Sequence, residues 1–206
     1  MKIVPYSNDI NKYLKSDAII DCEDEAIAQV AVSLYEKATN ELDYIKLAYE
    51  FVRDRIAHSA DADEDIITCS ASEVLDAGHG ICFAKSHLLA AFLRYKGIPT
   101  GFCYQKLILD DETAPVLIYH GLNGVYLKEY DKWIRLDARG NKEGVNAQFS
   151  IDTEQLAFPI RPQFGEEDGF TVYPDPDANV LERLQKYETR PQLWEDLPTV
   201  LAYQGK

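Results

Sequence analysis

The stretch Gly78-His-Gly-Ile-Cys82-Phe-Ala-Lys-Ser-His87-Leu-Leu-Ala-Ala-Phe-Leu-Arg94-Tyr-Lys-Gly97-Ile-Pro99 decides how the rest of the chain is read. Its middle carries Phe83, Leu88, Leu89, Ala90, Ala91, Phe92 and Leu93, an apolar load too broad for the single stripe of a surface helix. The pattern predicts a central, mostly buried helix. Arg94 and Lys96 fall in its last turn, where cations complement the negative end of the dipole, and Gly97 stands at C′. A glycine-flexed turn from Gly78 leads in, so Cys82 sits at the start of the helix.

Upstream the pattern stays helical. From about Asp24 to Lys37 the apolar residues Ile27, Val30, Ala31 and Leu34 recur at helical spacing. Asn40 caps a second helix with the stripe Ile45, Leu47, Ala48, Phe51, Val52 and Ile56. Ser70-Ala-Ser-Glu73 is a capping box that opens a short helix ended by Gly78. Downstream of Pro99 the period changes. Thr100 to Leu109, Val116 to Leu127 and Lys132 to Ala138 are rich in aromatic and β-branched residues and are separated by charged turns. Helices followed by antiparallel strands define an α+β domain, with the cysteine-bearing helix packed on the sheet. Beyond Gly144 the signals weaken: Ile151 to Tyr173 reads as irregular, Asp175-Pro-Asp-Ala starts a helix through Tyr187, and Arg190-Pro191 starts a short last one.

The chain of 206 residues is expected to form a single domain, residues 1–206, with its core at about 41–140 and a C-terminal elaboration over 141–206. Its 21 basic and 35 acidic residues give a net charge of −14, a field that repels phosphate backbones and anionic membrane surfaces. Nucleic acid and membrane are therefore not expected as partners. Residues 1–20 contain no apolar leader core and no apolar run approaches the roughly 20 residues of a membrane span, so a cytoplasmic location is expected. Cys22, Cys69, Cys82 and Cys103 are widely spaced, without a Cys-x-x-Cys, and read as reduced thiols.

Cys82 is placed where a thiol ionises most easily. Unpaired N–H groups and the positive end of the helix dipole favour the thiolate there, against a free-thiol pKa of about 8.5. The acidic balance of the chain opposes this, so a reactive Cys82 also requires a nearby imidazolium. Cys22, Cys69 and Cys103 have no comparable placement and read as small buried hydrophobes. Of the histidines, His87 lies five residues along the same helix, about 140° around and roughly 7.5 Å along the axis, out of reach of the sulfur. His79 sits in the preceding turn, where it would be poorly held, and His58 follows the second helix with no partner in view. His120 lies within a strand, on the face it shares with Ile118 and Leu122.

Strand register ties His120 to Asp137. Antiparallel strands joined near Lys128 to Asp131 pair residues whose numbers have a constant sum: 257 for a two-residue loop, 259 for a four-residue loop. The first sets Asp137 opposite His120; the second sets it opposite Leu122, diagonal to His120 at roughly 7–8 Å. A three-residue loop would put the two on opposite faces. Spacing alone leaves two readings open: a nucleophile, base and orienter in that chain order, or a structural strand histidine with Asp137 as a turn residue.

Gly80-Ile-Cys82, Arg94-Tyr-Lys-Gly97-Ile-Pro99, Tyr119-His120-Gly-Leu-Asn-Gly-Val-Tyr-Leu127 and Trp133-Ile-Arg-Leu-Asp137 together resemble the core of the transglutaminase-like superfamily of papain-like thiol enzymes. The resemblance implies Cys82 as nucleophile, His120 as base and Asp137 as its orienter. Two departures stand out. Members often carry an aromatic residue two after the histidine and a Glu four after it, where this chain has Leu122 and Gly124. The aspartate is commonly followed by Pro and Thr, here by Ala138 and Arg139. Both leave the three residues whole and alter the substrate side. Trp133 reads as core and not as a substrate platform.

The expected function is a cysteine-dependent amide hydrolase or acyltransferase working through a thioester, on a peptide, protein or amide substrate. The Cys82 backbone N–H serves the oxyanion together with a second donor that the sequence does not place. The alternative is a catalytically silent module that binds a peptide or protein in the same cleft. No cofactor and no metal are expected: dinucleotide, P-loop and zinc spacings are missing. Asp61-Ala-Asp-Glu-Asp65 resembles the start of a calcium loop, but Ile66 and Ser72 stand where Gly and Glu are needed, and it reads as a solvated acidic loop.

Overall fold

Capping side chains set where the helices begin. In the computed structural model, which describes residues 2–205, the Asp24 carboxylate accepts the Ala26 and Ile27 N–H groups and starts α1 (Glu25–Lys37). Asn40 accepts the Asp43 N–H and starts α2 (Glu41–Arg55). Ser70 and Glu73 form the reciprocal capping box of α3 (Ala71–Ala77), which Gly78 ends in the left-handed region at φ 71°. A side chain there would be strained, so the turn into the next element calls for glycine. That element is α4 (Cys82–Tyr95), in which every residue from Phe83 to Arg94 is buried. α1, α2 and α3 all pack against it. Each fully buried Leu or Phe contributes about 1.5–3 kcal/mol, which makes α4 the apolar axis of the molecule.

A curled antiparallel sheet closes the other side of α4. β4 (Thr100–Asp110) and β5 (Ala114–Leu127) pair along most of their length, β6 (Lys132–Leu136) pairs with the second half of β5, and the strand order is β6-β5-β4-β7, with β7 at Glu167–Asp168. Val125 faces Ile134 and Leu127 faces Lys132, so the register sum is 259 and the four-residue connection Lys128 to Asp131 is the one realised. The buried Arg94 guanidinium donates to the Thr100 carbonyl at 3.0 and 2.9 Å and to that of Pro174 at 2.5 Å, locking the helix exit to the first strand. β6 stops at Leu136, two residues short of the predicted end.

The stretch Ile151 to Tyr173 is less irregular than its composition predicts. It contains β7, which bonds to β4, and β8 (Thr171–Val172), which runs parallel to β1 (Val4–Pro5). These two-residue strands carry no periodicity to read. Arg135, buried in β6, anchors this region by ion pairs to Glu154 at 2.6 Å and Asp168 at 2.5 Å. The same packing accounts for one departure from the family pattern. A Cβ on Gly124 would lie 2.5 Å from Val172 Cγ1, and Leu122 is buried with Tyr13, Cys103 and Val172. A glutamate has no room there. Trp133 packs on Tyr13 in this second core, ring centroids 4.8 Å apart.

Candidate active site

Three elements deliver the sequence-predicted residues to one place. α4 begins at Cys82, β5 carries His120, and Asp137 follows the last residue of β6. His120 Nε2 lies 2.8 Å from Asp137 Oδ2. An ionised carboxylate only accepts, so the proton of that contact sits on Nε2. Cys82 lines the same cleft as His120 and acts on the charge of its imidazole. With Nε2 taken, the nitrogen left for the thiol is Nδ1.

Asp137 is buried and accepts two further bonds, from the Arg139 N–H at 3.1 Å and the Ala157 N–H at 3.0 Å. Burial works against its charge, but the imidazole and these two N–H groups hold its carboxyl below the usual range. Burial also opposes a charge on His120; Asp137 and Cys82 outweigh it and raise the histidine to about 10. Phe158 meets the His120 ring edge-on, centroids 5.2 Å apart. Residues 145–158 thus fold back over the pair, supplying the Ala157 N–H and the Phe158 ring. Sequence reasoning missed them because they lie in coil and act through one backbone donor and one apolar cover.

Cys82 and His120 face a cleft of about 690 Å³ whose apolar wall includes Phe83, Leu107 and Ile118. Arg139 lines the same cleft and is held by both carboxylate oxygens of Asp61, with Lys142 Nζ 2.7 Å from Asp61 Oδ1. The acidic loop is therefore not simply solvated: Asp61 braces the cleft, and Asp63 and Asp65 pair with Arg190 at 2.6 and 3.1 Å. Arg139, which stands where the family pattern has Thr, is a wall of the site.

Of the other histidines, one settles differently from expectation. His87 is buried and bonded to the Cys69 carbonyl at 2.7 Å, and burial lowers its pKa to about 4. His79 is not loosely held: it is buried in β3 (His79–Gly80), its Nδ1 3.1 Å from Ser59 Oγ. His58, in β2 (Ala57–His58), lines the cleft. All four cysteines are free, Cys82 half-buried and the others buried. Burial raises the thiols of Cys69 and Cys103 to about 12. Among the described residues no cluster of His, Cys, Asp or Glu is placed to hold a metal, and no helix is long and apolar enough to cross a membrane.

The α+β fold thus sets a cysteine at the head of a buried helix and a histidine on the adjoining antiparallel sheet along one cleft. Residues 28–138 match the core of the transglutaminase-like superfamily, and the chain belongs to it. The match begins inside α1, ahead of the expected core. No curated protein matches the sequence. Among solved structures, a candidate cysteine protease from Cytophaga hutchinsonii is similar in fold, with a TM-score of 0.52 and 18% identity over 65% of this chain and 43% of that one. The periplasmic domain of TgpA from Pseudomonas aeruginosa gives a TM-score of 0.44 and 15% identity, over 64% of this chain and 48% of that one. A candidate protease from Parabacteroides distasonis gives 0.42 and 17%, over 73% and 30%. The chain thus spans less than half the length of each of these structures.

Proposed function

We propose that the protein is a thiol hydrolase or acyltransferase acting on an amide carbonyl in a peptide or protein, with Cys82 as nucleophile, His120 as base and Asp137 as its orienter. One observation carries this reading: the His120 imidazole is held by the buried Asp137 carboxylate and shares the wall of an open cleft with Cys82 at the head of α4. Membership in a superfamily of typically cysteine-dependent enzymes supports it, as does the fold shared with a candidate cysteine protease.

In the proposed sequence the proton given up by the thiol rests on Nδ1 before the substrate arrives, and the Cys82 sulfur attacks the carbonyl carbon as the thiolate. Asp137 stabilises the resulting imidazolium through Nε2 without itself being protonated. The N-cap residue Ile81 offers no side-chain acceptor, so the first N–H groups of α4 are not side-chain capped and the Cys82 N–H can meet the developing oxyanion. Collapse expels the amine, which leaves with the proton from Nδ1, and a thioester remains on Cys82. Attack by water then gives hydrolysis; attack by an amine gives transfer.

Mass spectrometry of the whole chain after incubation with peptide and simple amide libraries tests this. The expected result is an acyl mass on the peptide containing Cys82, discharged by hydroxylamine. Acyl adducts spread over Cys22, Cys69 and Cys103, or none on Cys82, would contradict it.

A further inference from the structure

His58 stands in the wall of the cleft, and the chemistry proposed above leaves it without a role. Its strand β2 runs parallel to β3, with His58 opposite Gly80, two residues ahead of Cys82. The backbone around it is tightly held. The Ser59 N–H donates to the Gly80 carbonyl at 3.2 Å, and the His58 carbonyl accepts from Asp61 at 2.8 Å and Ala62 at 3.0 Å. One residue upstream of β2, the Ile56 carbonyl is fixed by the Nζ of Lys85, which is buried in α4. The ring is bound by nothing comparable. Among the described residues Nδ1 is buried without a hydrogen-bond partner; His58 lines the cleft, and Nε2 is the ring nitrogen that remains to serve it.

A buried polar atom without a partner costs about 1–3 kcal/mol, so this orientation of the ring is not one the fold stabilises for its own bonding. The ring is also neutral. Burial lowers its pKa to about 3, with Arg139, Lys85 and His120 acting in the same direction and Asp61 against them. A neutral imidazole carries one hydrogen. Because the strongest charge acting on the ring is the cation of Arg139, ahead of Asp61, the sealed Nδ1 is better as a bare lone pair than as an N–H, which places the hydrogen on Nε2. His58 therefore cannot serve as a base near neutral pH, but it presents a fixed donor beside the helix head that carries the sulfur.

We infer that His58 Nε2–H and the backbone N–H of Cys82 together receive the carbonyl oxygen of the substrate as the sulfur attacks. The inference rests on the reading of Cys82 and His120 given under Proposed function. No bond to His58 forms or breaks. The carbonyl π pair becomes a lone pair on the oxyanion, the two donors hydrogen-bond to it, and the pair returns to the C=O bond as the leaving group departs. The hydrogen stays on Nε2 throughout, because a neutral imidazole is itself a very weak acid.

Two reagents acting on the same sulfur separate this role from any effect on the thiol. Acylation by p-nitrophenyl acetate passes through an oxyanion; alkylation by iodoacetamide does not. With the full chain, His58→Phe is expected to lower the acylation rate by about 10²–10³-fold, the size of one lost oxyanion donor. Alkylation is expected to stay within about twofold of the parent. His58→Gln, which restores an N–H, is expected to recover at least a tenfold share, in kcat and not in KM. If His58→Phe does not fold, His58→Ala carries the same comparison. Equal acylation by parent and variant would overturn the inference, as would acylation and alkylation falling together. A parent protein alkylated rapidly with His120 dependence, yet acylated no faster than free cysteine, would overturn it and leave the underlying reading standing. Slow alkylation of the parent, independent of His120, would overturn both.

Discussion

Cys82→Ser is expected to fold with a thermal midpoint within a few degrees of the parent and to lose turnover by about 10⁴-fold or more. The size follows from how nucleophile and base act as a unit: removing either leaves only the rate due to binding and oxyanion donors. The unchanged stability follows from position. Cys82 is half-buried at the first turn of α4, where serine is nearly isosteric and its hydroxyl can stay hydrated in the cleft. Circular dichroism with a turnover assay on any substrate found by thioester trapping separates the two effects. A variant that fails to fold would assign Cys82 to packing; one that keeps its activity would remove it from the chemistry.

Substituting Asp137 is expected to affect both stability and rate. Asp137→Ala removes the acceptor of three donors at once, His120 Nε2 and the N–H groups of Arg139 and Ala157, in a site closed to water. Breaking a buried ionic pair from one side costs about 3–5 kcal/mol, to be read from urea unfolding. Asp137→Asn keeps an acceptor and isolates the electrostatics. In the parent, His120 is raised to about 10, so its protonated form persists through neutral pH and is lost only as the pH approaches that value. Without the carboxylate, the burial that already opposes the charge prevails and the pKa falls. The alkaline limb of kcat/KM should therefore move down from near pH 10 toward or below the ordinary 6.5 of a histidine. A limb that does not move would mean that Asp137 contributes nothing to the charge on His120.

Much of this fold is legible along the chain because periodicity and punctuation agree over long segments. The breadth of apolar residues from Phe83 to Leu93 identifies α4 as buried, and Ser70, Glu73 and Gly78 mark both ends of α3 chemically. Register reasoning carries as far as the pairing of His120 with Asp137, since a four-residue connection leaves the two on one face. The rest depends on contacts with no local signature. β7 and β8 are two residues long and exist because β4 and β1 offer open edges. The Ala157 N–H and the Phe158 ring reach the site through a coil that Arg135 pins at Glu154. His58 looks inert in sequence because its significance lies in the parallel bridge to Gly80, which only the folded chain makes.

The central claim is that one thiol in the chain is activated by His120, and the pH dependence of its alkylation tests that most directly. Iodoacetamide labelling of the native protein from pH 5 to 10, with the modified cysteine located by mass, is expected to show Cys82 reacting well below the free-thiol value of about 8.5. The same profile in His120→Ala is expected to rise only near that value. Labelling of Cys82 that follows a free thiol in both proteins would contradict the account.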